Sequence, residues 1–180
     1  RIYILTVSFI VAYISSNYFV EIGTDRVDYR YFYEVLLPKY YYGNIDTIME
    51  SPIEIGYILL NKAMYVLGID TKGMFFIMSF IINFNILYGI LRLTNRFYLA
   101  SSVWFCSYFY HYTFYGIRQS LAIGLFLFFY IYKQENKNIK SLLFLILSIA
   151  FHRTVLVPIS LLYFYESIKR IDFKGRKNLW

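Results

Sequence analysis

The sequence predicts an all-α membrane protein: a polytopic transmembrane helical bundle in which short broken or re-entrant helices line an external-facing cavity. Three observations lead there. The 180 residues are 59% hydrophobic and only 16% charged, against about 25% charged in a soluble domain. The apolar residues fall in runs that approach or exceed the bilayer length of about 17–25 residues. Most of the bases flank those runs, so the net charge of +7 addresses a membrane surface and not nucleic acid. So little polar surface excludes an ordinary soluble enzyme, a disordered tail and a coiled coil. Cys106 is the single cysteine, which excludes an intrachain disulfide and a cysteine-based zinc site.

Taken in order, Ile2–Val20 carries no charge and reads as a first span. Residues 21–52 hold six acids against three bases, a balance that reads as an external loop because cytoplasmic loops favour Lys and Arg. Ile53–Ile69 is apolar but contains Glu54, Asn61 and Lys62, and Met74–Leu91 is interrupted only by Asn83 and Asn85. Phe97–Tyr132 has Arg118 as its one formal charge. At about twice one crossing it reads as a helical hairpin turning near Thr113–Gly116. Lys133–Lys140, with three lysines and one acid, reads as a cytoplasmic loop. Ser141–Tyr165 is apolar apart from His152, Arg153 and Pro158, and residues 166–180 form a basic C-terminal segment with five bases and two acids.

Both basic stretches favour the cytoplasm, yet one apolar run separates them. The conflict resolves if Leu142–Ala150 and Thr154–Tyr165 enter and return as two short segments broken at His152–Arg153. Such breaks are tolerated at membrane depth where they line a cavity or are buried in protein. The Asp70–Lys72 turn and Arg92 with Arg96 pose a similar conflict. Residues 1–180 read as one membrane domain, and the start at Arg1 on an apolar run reads as a portion of a longer chain.

Ionisable groups inside a membrane cost at least about 2.5–3.5 kcal/mol each at a helix centre, so they mark candidate sites. Here they are Glu54, Lys62, Arg118, His152 and Arg153. Each has a plainer reading: Glu54 at the water interface, Lys62 snorkelling, Arg118 or Arg153 on a lipid headgroup, His152 as a core histidine. Asp25 and Asp28 are three apart and can share a helix face, as can Arg26 and Arg30 at four apart. On spacing alone a solvated loop with internal ion pairs is the better account. Tyr29, Tyr31, Tyr33 and Tyr40–Tyr42 read as an interfacial belt. Glycine-rich phosphate loops, nucleophile elbows and zinc-protease motifs are absent. With His111 and His152 the only histidines, a histidine-rich metal site is excluded. Asp25 and Asp28 leave room for Mg²⁺ or Mn²⁺ held by carboxylates, although no cofactor is required.

Four patterns occur in fixed order: Gly23-Thr24-Asp25 with Tyr29; Glu54-Ile55-Gly56-Tyr57 followed by Leu59-Leu60-Asn61; Ile117-Arg118-Gln119 with Ala122; and Phe151-His152-Arg153-Thr154. As a set they resemble the EpsG family, Wzy-like membrane proteins associated with polymerising exopolysaccharide, capsule or O-antigen repeat units. The resemblance spans roughly Ile2–Tyr165, the first half of what that family usually has. Ile55 stands where the family commonly has proline, and Tyr115 where a polar asparagine often precedes the Ile-Arg-Gln element.

The resemblance implies a multi-pass protein of the bacterial cytoplasmic membrane that acts on glycans carried by polyprenyl pyrophosphate at the outer face. Its partners would be that lipid-linked glycan, membrane lipids and other polysaccharide-assembly membrane proteins. A sugar hydroxyl attacks the anomeric carbon and lipid pyrophosphate leaves. Arg118 and Arg153 suit the pyrophosphate, since the planar guanidinium matches phosphate oxygens. Asp25 or Glu54 suits the general base, with His152 as an alternative base or positioning group. Gln119, Asp28 and Tyr29 complete the candidate substrate contacts. A flippase or transporter would use the same charges without bond making, although carriers often show inverted repeats and none is visible. A membrane O-acyltransferase is a third reading through His152, without a supporting asparagine-histidine pattern.

The charge balance predicts that single cysteines at Asn44 and Asn136, with Cys106 removed, differ in labelling by an impermeant maleimide. Intact cells should label at Asn44 only, and equal labelling at both overturns the topology.

Overall fold

The structure is a computed structural model describing residues 2–17, 24–42 and 53–177. Gly23 of the first pattern, Glu21, Asp46 and Glu50 of the acidic stretch, and residues 178–180 lie outside the described residues, as do the side chains of Tyr40–Tyr42 and His111. Every element among the described residues is helical. In chain order they are α1 (Ile2–Asn17), α2 (Thr24–Tyr31), a π-helical turn (Phe32–Leu36), α3 (Leu37–Tyr42), α4 (Ile55–Val66) and α5 (Thr71–Leu93). Then follow α6 (Phe97–Val103), a second π-helical turn (Trp104–Tyr108), α7 (Phe109–Phe114), α8 (Ile117–Gln134), α9 (Asn138–Phe151), a 3₁₀ turn (Arg153–Val155) and α10 (Leu156–Lys177).

Helix α5 is the centre of the molecule. Asp70 caps it, its Oδ1 accepting from Gly73 N at 2.8 Å, which satisfies one of the free amides of a first turn. Gly68 turns the chain into that cap with φ 71°, a left-handed conformation that glycine adopts without a Cβ penalty. Met74, Met78, Ile82 and Leu87 of α5 are fully buried, packed with Tyr57 and Ile58 of α4, Ile117 and Leu121 of α8, and Phe32 and Leu37. At 23 residues α5 is the one described helix long and apolar enough to cross a membrane, while α1 and α9 are apolar and shorter. The outward faces of the peripheral helices remain apolar: Leu5, Phe9 and Ile10 on α1, Leu142 and Ile146 on α9, Val157, Leu161 and Phe164 on α10 are all exposed. A soluble monomer rarely leaves apolar surface so extensive.

Contacts fix the register. A Cβ on Gly124 would meet the Asn85 Cβ at 2.9 Å, one on Gly89 would meet the Leu127 Cδ1 at 2.8 Å, and Tyr88 stacks on Phe128 at 5.7 Å. Helices α5 and α8 therefore run parallel. Arg118, in the first turn of α8, is level with Ser79, about 12 Å along α5 from Thr71. Helix α9 returns antiparallel to α8, with Ser141 Oγ donating to Phe129 O at 3.3 Å and Phe128 stacked on Phe144 at 5.2 Å. That brings the end of α9, at His152, level with Arg118. The turn between them uses Asn136 at φ 57°, where asparagine is among the residues that tolerate positive φ.

The sequence expectations fare unevenly. The chain breaks at Tyr115–Gly116, inside the stretch expected to turn. The chain also breaks at His152, extended at φ −165° and ψ 128°, although the flanking helices run beyond Leu142–Ala150 and Thr154–Tyr165. Lys133 Nζ donates to Glu166 Oε2 at 2.9 Å, so α10 comes back to the end of α8 and the two basic stretches meet at one end. Arg92 pairs there with Glu135. A hydrogen bond from Lys137, with the charges of Lys137, Arg92 and Lys140, holds the Glu135 carboxyl below the usual carboxylate range.

The solvated-loop reading of residues 21–52 is corrected over 24–42. Those residues are helical, and Tyr29, Phe32, Tyr33 and Leu37 are buried, so Tyr29 and Tyr33 are core residues and not an interfacial belt. Their spacing of three to four is the period of an apolar helix face. Helix α4 rises only about 18 Å over its 12 residues, short of a crossing.

Gly56 lets α4 touch α9: a Cβ there would lie 2.7 Å from the Ala150 carbonyl oxygen, a backbone atom that cannot swing aside. Gly56→Ala should cost about 1–3 kcal/mol of stability. Thermal denaturation in detergent reads this, and an unchanged midpoint would mean that the helices separate freely.

Candidate functional site

Three breaks in the backbone meet at one point. Glu54 precedes α4 in extended conformation, at φ −66° and ψ 140°. Its carbonyl accepts from Tyr57 N at 3.1 Å and Ile58 N at 3.2 Å. Ile55, at the first helical position where proline would be favoured, is exposed and starts the helix regardless. Gly116 precedes Arg118, and His152 separates α9 from the 3₁₀ turn. Polar side chains at these ends escape the crowding of a helix barrel and reach one another.

Glu54 is the hub. Its Oε2 accepts from Arg118 Nη1 at 2.7 Å and its Oε1 lies 2.6 Å from His152 Nδ1. Side-chain exposures of 10% for Glu54, 29% for Arg118 and 21% for His152 leave a small aperture to solvent. The Tyr29 hydroxyl lies within electrostatic reach of the Arg118 guanidinium. Tyr29 packs on Tyr57 with centroids 5.6 Å apart, and Phe32 lies against the same ring at 5.7 Å. Each of the four ordered patterns thus contributes a residue to one cluster.

The chemistry follows from the pairing. With Nδ1 donating to Glu54, the neutral His152 imidazole carries its lone pair on Nε2. A carboxylate that fixes the tautomer of a histidine is the orienting arrangement of hydrolytic triads. Arg118 neutralises the carboxylate and retains further N–H donors for an anion.

The remaining sequence candidates lie around the cluster. Arg153 is exposed directly after His152, and Gln119 is half-buried after Arg118. Asp25 and Asp28 are exposed on α2, and the charge of Asp25 reaches the Tyr29 hydroxyl. Among the described residues no three His, Cys, Asp or Glu gather into a metal-binding group. None of Asp25, Glu54, Arg118 and His152 lines the cleft found beside α2. That cleft, of about 300 Å³, is lined by Arg26, Arg30, Glu34, Asp70, Lys72 and Phe75 among others.

Sequence reasoning placed Arg26 with Arg30 on one helix face but did not foresee that Arg26 is buried. Only 5% exposed, it donates from Nη2 to Ser15 O at 2.6 Å and stacks 3.9 Å above the Phe75 ring. The signal was present: Arg26 precedes Tyr29 by three, on the buried face that continues through Tyr33 and Leu37.

An apolar-surfaced helical chain that collects ionised groups at the ends of broken helices is a membrane-associated protein with a polar site. Its sequence matches the EpsG family model over residues 1–174, and the chain belongs to the EpsG family. Membership connects it with membrane polysaccharide biosynthesis, as a polysaccharide polymerase-like protein. No curated protein and no solved structure matches it.

If Glu54 and Arg118 form one unit, their losses will not add. Glu54→Ala and Arg118→Ala should each destabilise, and the double variant should lose less than their sum, with a coupling of about 0.5–3 kcal/mol. Denaturation of the three variants measures it, and additive losses would mean no shared interaction.

Proposed function

We propose that this chain carries the catalytic site of a membrane polysaccharide polymerase, which joins glycan repeat units carried on polyprenyl pyrophosphate. The observation that carries the proposal is the Glu54 carboxylate held between Arg118 and His152. It supplies a base and a cation side by side, which glycosyl transfer from a pyrophosphate needs.

In this reading the basic end with Arg92, Lys133, Lys137 and Lys140 is cytoplasmic by the Lys and Arg bias, and the opposite end is external. Helices α1, α5, the α6–α7 pair, α8, α9 and α10 cross the bilayer of the bacterial cytoplasmic membrane, and α2–α4 re-enter from outside. Helix α9, with 14 residues, rises only about 21 Å of a hydrocarbon core about 30 Å thick. Its end at His152 then lies below the outer surface, which favours a recessed external site.

His152 Nε2 takes the proton from the attacking sugar hydroxyl as its oxygen bonds to the anomeric carbon. The bond from that carbon to the pyrophosphate oxygen breaks, and its electron pair leaves on the lipid pyrophosphate. Arg118 and the neighbouring Arg153 stabilise that anion. Glu54 orients His152 and so acts as the positioning carboxylate more than as the base itself. Gln119, Tyr29, Asp25 and Asp28 lie at the rim, where sugar hydroxyls would pass.

Three helix breaks around charges would also suit a carrier moving the lipid-linked glycan without bond making. Surface polymer separates the two. Arg118→Ala should leave single repeat units on the outer face with long chains gone at normal protein level. Arg118→Lys should fail nearly as badly, because it keeps the charge and loses the fork. Full-length polymer from Arg118→Ala overturns the assignment, and repeat units trapped inside the cell favour the carrier.

A further inference from the structure

At the basic end, remote from the Glu54 cluster, a cavity of about 550 Å³ opens between α8 and α10. Lys133, Gln134 and Tyr130 line it from α8, and Tyr165, Glu166 and Lys169 from α10, with Leu162 at its apolar edge. Lys133 sits 2.9 Å from Glu166 Oε2 and 4.1 Å from the Tyr163 ring centroid, so it is held with its ammonium at the cavity wall. Lys169 is exposed. Across this end Arg92, Lys133, Lys137, Lys140 and Lys169 outnumber Glu135 and Glu166. From the cavity, Leu161 and Val157 continue along α10 as an exposed apolar strip.

We infer that this cavity binds an anionic phospholipid with a hydroxyl-bearing headgroup, such as phosphatidylglycerol. The phosphate sits against Lys169 and Lys133, where basic pockets between helices at a membrane surface take acidic headgroups. Glu166 and Gln134 accept from the headgroup hydroxyls, which gives the carboxylate a role that a bare phosphate would not. An acyl chain follows the strip over Leu161 and Val157. Tyr130 and Tyr165 offer the amphipathic rings favoured at headgroup depth. The inference rests on the membrane placement of the chain and on neither bond making nor transport.

Native mass spectrometry of the full-length protein, released from vesicles of equal phosphatidylglycerol and phosphatidylcholine, tests it. Wild type should retain phosphatidylglycerol in preference to phosphatidylcholine. Lys169→Gln, which leaves the Lys133–Glu166 pair intact, should lower that preference about fivefold, the effect of one basic residue near an anionic surface. Lys133→Gln with Glu166→Gln keeps a neutral contact between the helices and should lower it further. Equal retention of both lipids by wild type, or a preference unchanged in both variants, overturns the inference. Displacement of the lipid by inorganic phosphate also overturns it, since the cavity is then a free-phosphate site. Arg118→Ala should keep the lipid preference whatever it does to polymer, so the two proposals fail separately.

Discussion

A carboxylate surrounded by apolar helices must be neutralised or lose its charge. Glu54 meets this by giving one oxygen to Arg118 and the other to His152. Much of the architecture follows from bringing those partners into range. Arg118 reaches because the helix breaks at Tyr115–Gly116, and His152 because α9 stops at Phe151. Helix α4 comes close enough because Gly56 presents no side chain to Ala150. Removing one partner from such an arrangement strands charge in a poorly solvating place, which costs more than a pair contributes when intact.

The breaks that serve the cluster also organise the two ends. Reversal at His152 returns α10 toward the end of α8, so the lysines of the Lys133–Lys140 turn and the acid Glu166 share one surface. The opposite end gathers Glu34, Asp70 and Arg26 around a separate cleft. Charged side chains thus gather at both ends of α5, with the Glu54 cluster set between them.

Composition and run length made the helical, apolar character legible, and Gly116 and His152 marked two real interruptions. The ordered patterns pointed to the EpsG family before their residues were known to touch. What stayed hidden was pairing: local spacing says nothing about which of Asp25, Asp28 or Glu54 would meet Arg118, because the contact joins residues 64 apart in sequence. The acidic stretch misled for a physical reason. Counting charge over residues 21–52 averages the buried face of Arg26, Tyr29, Tyr33 and Leu37 with the exposed Asp25, Asp28 and Tyr31. A reading by helical period over 24–37 would have separated the two faces.

The order in which the partners of Glu54 emerge gives the cluster a history. His152 follows Glu54 by 98 residues, and synthesis proceeds at about 5–20 residues per second. For roughly 5–20 s the growing chain therefore carries a carboxylate whose histidine does not yet exist. Arg118 is made about two thirds of the way through that interval, 64 residues after Glu54, whereas the Ala150 backbone against which Gly56 packs arrives only at its end. The segment written early in the chain therefore meets its full set of partners only once α9 has been made.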